Sequence, residues 1–192
     1  MTASRNASRH VHADLAWVHS TGGPLIVIPA SALDQWGGCT EDGMIVGGTD
    51  VPDDYDHACD VEGWAGIISV GNGVSGLVLA DEPAMTCYLS EQNVFLRWLA
   101  ADSDAELLEG ARAVLDDPAT DWEDCGVWET DGAAVLMDSA VAGSDLAVEY
   151  PDHGGLPEQA LIPVPAGRWS GRAFHKTGEF PWVGIVQLLP AA

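Results

Sequence analysis

Short β-branched runs punctuated by glycine, proline and asparagine most constrain what this chain can fold into. Gly66-Ile67-Ile68-Ser69-Val70 and Gly76-Leu77-Val78-Leu79-Ala80 flank the tripeptide Gly71-Asn72-Gly73. Glycine and asparagine tolerate positive φ, so the tripeptide predicts a hairpin turn between two strands. Leu25-Ile26-Val27-Ile28 is a continuous apolar run closed by Pro29, the pattern of a strand buried on both faces. Residues 86–89, 126–129, 133–137, 146–150, 161–164, 169–175 and 182–189 read as further strands. Pro163, Pro165 and Pro190 fall at strand ends, where a missing N–H is tolerated.

Helical periodicity interrupts this pattern. Residues 30–36 predict a short helical turn with Ser31 as its cap. Residues 91–101, capped by Ser90, place Val94, Phe95, Trp98 and Leu99 on one face, with Arg97 opposite and exposed or paired with a carboxylate. Residues 104–115 follow Ser103, with Glu106 at the capping-box position. The expected fold class is therefore α+β, a predominantly antiparallel β-sheet with two central helices packed on it. At 192 residues the chain suits a single domain over 14–192 after a disordered or frayed tail at 1–13. A short echo between Gly76–Asp81 and Gly132–Asp138 keeps open two pseudo-repeated lobes, about 14–115 and 120–192.

Charge is distributed as unevenly as structure. Between Arg9 and Arg97 lie 87 residues with no lysine or arginine and 13 acids, and a second base-free stretch, 113–167, holds 12 acids. The whole chain has 30 acids against 7 bases, a formal charge of −23. Disorder requires low hydrophobicity as well as charge, and here 47% of residues are hydrophobic and eight are tryptophan. The chain is thus a folded domain with an acidic surface. Codon bias or a saline habitat could enrich acids, and so could selection for a basic partner. Such a surface repels nucleic acid and anionic membrane, and steers basic proteins in. Cys39, Cys59, Cys87 and Cys125 lack C-x-x-C spacing, and no apolar run is long enough to span a membrane. The expected location is cytoplasmic, with reduced thiols.

Few residues suggest catalysis. Gly71 to Gly76 matches G-x-G-x-x-G, but a strand-like run follows where a dinucleotide site needs a helix. There is no G-x-S-x-G and no H-E-x-x-H, and His153 and His175 stand alone. No catalytic residue, cofactor or resident metal is expected. The densest acidic segment runs from Asp50 through Asp53, Asp54, Asp56 and Asp60 to Glu62, and reads as a loop. These six acids are the candidate partner-binding residues, with Trp36 and Trp122 as aromatic anchors in or beside acidic loops. The alternative is a small metal-dependent hydrolase using carboxylates of the 50–60 loop, with His57 and Cys59 as further ligands.

An ordered series of segments carries a resemblance. It comprises Ser20–Pro29 with the Trp36-Gly37-Gly38 turn, Asp54–Cys59, Val78–Leu89, Phe95–Leu108, Pro165–His175 and Trp182–Pro190. Together they resemble the bacterial immunity protein 21 family over roughly Trp17 to Pro190. The resemblance implies an antidote in a polymorphic toxin system, acting by stoichiometric binding of a cognate toxin domain. It implies no catalytic motif. Many such toxins attack nucleic acid through basic clefts, which an acidic inhibitor can occupy.

Overall fold

The computed structural model describes residues 15–40, 51–80 and 82–191. The expected tail at 1–13 and the candidate contact Asp50 lie outside the described residues.

Ten strands form two antiparallel five-stranded sheets. Sheet I holds β1 (Leu25–Pro29), β2 (Gly66–Val70), β3 (Val74–Leu79), β7 (Ala134–Asp138) and β8 (Gln159–Ile162), in the order β2-β3-β1-β7-β8. Sheet II holds β4 (Thr86–Leu89), β5 (Val94–Ala100), β6 (Glu123–Thr130), β9 (Gly167–Lys176) and β10 (Trp182–Pro190), in the order β4-β5-β10-β9-β6. The α+β, mainly antiparallel class expected from the sequence is the one observed. Each sheet takes strands from both halves of the chain.

The sheets pack face to face. Leu25, Val27, Leu77, Leu79 and Leu136 of sheet I meet Phe95, Trp128, Trp169, Val186 and Leu188 of sheet II. On one flank the sandwich is closed where β6 touches β2 and β3, and the Trp128 indole N–H donates to the Ser75 carbonyl at 2.9 Å. Because both sheets also carry a covered outer face, central strands such as β1 and β7 are buried on both sides, while β8 and β9 keep the in/out alternation. On the outer face of sheet I, Ile26, Ile28, Val78, Val135 and Met137 are covered by Ala32, Trp36, Ala58 and Leu146. These come from three short elements: the 3₁₀ turns Ala30–Gln35 and Gly143–Ala147, and helix α1, Asp54–Cys59. On the outer face of sheet II, Leu96, Val183 and Ile185 are covered by Leu107, Leu108, Ala111 and Val114 of helix α2, Asp104–Asp116.

Several local expectations hold. Val70 pairs with Val74 across Gly71-Asn72-Gly73, and both glycines have positive φ, +60° and +79°. α2 begins where its caps place it: Ser103 Oγ accepts from the Glu106 N–H at 3.3 Å. Glu106 reaches back to the N–H of Asp102, at 2.9 Å, one residue before the cap.

Others are corrected. Residues 91–101 are not a helix. They form a turn with Asn93 at φ +51°, then strand β5. Phe95 and Arg97 face the other sheet while Leu96 and Trp98 face α2, so an apolar run imitated a helical face because both sides of the strand are covered. Of the two expected helices, α2 alone forms. Residues 143–147 make a 3₁₀ turn where a strand was expected at 146–150. The 30–35 turn is preceded by Pro29 with no side-chain cap, so Ser31 does not cap it. Arg97, expected at the surface, is fully buried.

Candidate partner-binding surface

The two base-free stretches of sequence supply all five strands of sheet I, together with β4 and β6 of sheet II. The lysines and arginines among the described residues are Arg97, Arg112, Arg168, Arg172 and Lys176. All five belong to sheet II or its helix α2. Sheet I and the three short elements over it contain none. That layer does carry Asp34, Asp53, Asp54, Asp56, Asp60, Glu62, Asp145 and Glu149. A potential of one sign over one face follows directly from this partition.

The expected acidic loop is, from residue 54, a capped helix. Asp53 is the N-cap of α1: its carboxylate accepts from the Asp56 N–H at 2.9 Å, and the Asp56 carboxylate accepts from the Asp53 N–H at 3.0 Å. Asp53 also accepts from the Thr40 N–H at 2.8 Å. Burial pulls the Asp53 carboxyl upward, but N–H donors from Thr40, Asp56 and Tyr55 outweigh it and hold the group below its ordinary value. Asp54 accepts from the Gly37 N–H at 2.7 Å, tying α1 to the turn after Trp36. These three half-buried carboxylates are therefore occupied in building the corner. Asp60 and Glu62, just beyond the helix, are exposed.

The two tryptophans divide. Trp36 is fully buried, and its indole N–H donates to the Ser139 carbonyl at 3.0 Å. A buried indole presents no area to a partner; it supports the corner from below. Trp122 is half-buried on the sheet II side, with the Arg172 guanidinium 4.1 Å above its ring. With Trp36 buried and Trp122 on the sheet II side, the seven described candidate contacts do not form one exposed cluster.

Two cysteines, Cys39 and Cys59, sit at the corner. Burial, then Asp53 and Asp56, push the Cys39 thiol up, and burial raises Cys59, so both stay protonated. Among the described residues no three His, Cys, Asp or Glu side chains come together as a metal could require.

Two residues that sequence reasoning missed are Glu158, just before β8, and Asp138, the last residue of β7. Glu158 accepts from His19 through both its N–H, at 2.8 Å, and its ring Nδ1, at 2.7 Å. Those bonds hold the Glu158 carboxyl below its ordinary value. Asp138, at the end of β7, is buried and accepts from Thr21 N–H at 2.6 Å, Thr21 Oγ1 at 2.7 Å and Ala140 N–H at 2.9 Å. The bonds to His19 and Thr21 have no local sequence signal, because each of these partners lies more than a hundred residues away.

Comparison with known protein families matches residues 16–179 to the profile described as Immunity protein 21. The chain belongs to the immunity protein 21 family. The match takes in both sheets as far as the start of β10, so the base-free layer and α2 both lie within it. No curated protein and no solved structure matches the chain. Membership assigns this immunity protein a toxin as its class of partner. No helix among the described residues is long and apolar enough to cross a membrane.

Proposed function

We propose that this protein neutralises a cognate bacterial toxin domain by stoichiometric binding, using the acidic layer over sheet I against a basic surface of the toxin. One observation carries the reading: every described lysine and arginine sits in sheet II or α2, leaving sheet I and its cover wholly acidic. Charge segregated in this way steers a basic protein toward one face and repels nucleic acid and anionic lipid. On this reading Asp60 and Glu62 contribute exposed charge, while Asp53, Asp54 and Asp56 hold the corner in shape. The protein acts in the cytoplasm of the toxin-producing cell, where its four free cysteines stay reduced.

The test is co-expression with the toxin domain encoded beside this chain's gene. The expected result is restored growth and a one-to-one complex whose association rate falls steeply between low and physiological salt. Failure to protect, or protection without complex formation, would overturn the reading. A rate independent of salt would remove the electrostatic part alone.

A further inference from the structure

Apolar side chains at the surface are not spread evenly. Of the nine large hydrophobics that stand exposed among the described residues, four lie within fourteen residues: Val148, Tyr150, Leu156 and Leu161, 41–69% exposed. Singly, such residues are ordinary; concentration along one segment is not. The segment is tied down rather than loose. Gln159 Nε2 donates to the Leu146 carbonyl at 3.1 Å, and the Tyr150 N–H donates to the Gly155 carbonyl at 2.8 Å. β8 is the last strand of sheet I and bonds to β7 alone, so its other edge carries no strand among the described residues. Ala160 and Ile162 point into the sandwich, which sends Leu161 outward beside Val135. In sequence Asp145, Glu149 and Glu158 flank these positions as an acidic rim, with no lysine or arginine between 113 and 167, while Arg112 of α2 lines a groove shared with Leu161.

We infer that this strip is the apolar centre of the toxin-binding face, taking a basic protein surface with an apolar prominence; the inference rests on the toxin-binding reading above. Charge complementarity selects that occupant. A second copy of the chain would bring two bodies of charge −23 together, and carboxylate against carboxylate across the rim. A basic protein gains from the rim and buries the leucines. The corner at α1 packs on β2, the opposite edge of sheet I. Five strands at about 4.8 Å spacing put the two edges roughly 19 Å apart. One standard interface, about 800 Å² per partner, spans that distance.

The experiment uses the full chain and the neighbouring toxin domain as the probe. Leu161→Glu and Leu156→Glu change exposed side chains, so both variants should keep the parent's melting temperature. Either should weaken the complex at least about 30-fold, as expected for a central apolar contact. Glu109→Ala, exposed on α2 over sheet II, should change it by less than about 3-fold. If the parent binds and both leucine variants bind equally well, the strip is not the interface, while the toxin-binding reading stands. If the parent binds no toxin, the underlying reading itself fails. A parent that is dimeric by light scattering, and made monomeric by Leu161→Glu, would assign the strip to a second copy and overturn the inference.

Discussion

Arg97 and His175 meet on either side of a glycine. They project from β5 and β9, the two strands that flank β10, and both are register partners of Gly184. An Arg97 terminal nitrogen lies 3.4 Å from His175 Nε2. A methyl group at Gly184 would come within 2.9 Å of that Nε2 and 3.0 Å of Arg97 Cβ, so only glycine leaves room for the pair. The guanidinium donates to the carbonyls of Ala80, at 2.5 Å, and of Glu82, which belong to the crossover from sheet I to sheet II. Trp64 stacks on His175 with ring centroids 4.9 Å apart. A buried cation thus fastens the connection between the two sheets.

Replacing Arg97 should therefore unfold the protein rather than alter its surface. Arg97→Met leaves buried carbonyls without donors, and each costs about 1–3 kcal/mol. The expected loss is about 3 kcal/mol or more, against under about 1 kcal/mol for Arg112→Met on the exposed side of α2. Denaturant titration of both variants checks this.

His175 adds a pH dependence. Burial, and then the Arg97 charge, depress its pKa from 6.5 to about 4. The folded state holds the imidazole neutral, whereas the unfolded chain takes up a proton near pH 6.5. The stabilisation is fully present above that value and is lost as pH falls toward 4, by up to about 3 kcal/mol. His175→Gln should remove this component, so the parent should lose more stability than the variant between pH 6.5 and 4. Direct NMR titration of the His175 ring should show a midpoint near 4; one near 6.5 would mean the ring is solvated.

The acids around α1 should separate by role. Asp53→Ala removes an N-cap and its bonds to Thr40 and Asp56, and should cost about 1–2 kcal/mol. Asp60→Lys with Glu62→Lys should leave stability within about 0.5 kcal/mol, since both positions are exposed. That double variant should instead slow association with the toxin domain, most at low salt. Thermal melts and stopped-flow mixing read the two effects independently.

The hairpin turn offers a purely local test. Gly73 has φ +79° and open space where a Cβ would lie, so a side chain there meets strain but no clash. Gly73→Val should cost roughly 1 kcal/mol by conformation alone. A neutral result in chemical denaturation would show that the turn relaxes.

Legibility in the sequence followed the range of the interaction. The Gly71-Asn72-Gly73 hairpin and the Ser103 cap of α2 were readable because each is completed within a few residues. The β5 strand was not, because Phe95-Leu96-Arg97-Trp98 is covered on both faces and so lacks the alternation that marks a half-buried strand. Pro52, the flanking glycines and the dense aspartates make the 50–60 segment read as loop, although Asp53 and Asp56 are a reciprocal capping pair, a local signal that the abundance of acids obscures. Arg97 reads as a surface charge in the sequence because charge normally stays in water, and the carbonyls that receive it come from residues 15 and more positions earlier.

By itself the sequence determined the α+β class, an acidic folded domain and the family resemblance. All three rest on composition, turn chemistry and ordered local segments. Only the tertiary structure decided where the charge goes. Strands β1 to β3 come from the first base-free stretch and β7 and β8 from the second, and hydrogen bonding between β1 and β7 joins them into one sheet. Residues more than a hundred positions apart thereby share one acidic face, and no local pattern encodes which strands will be neighbours.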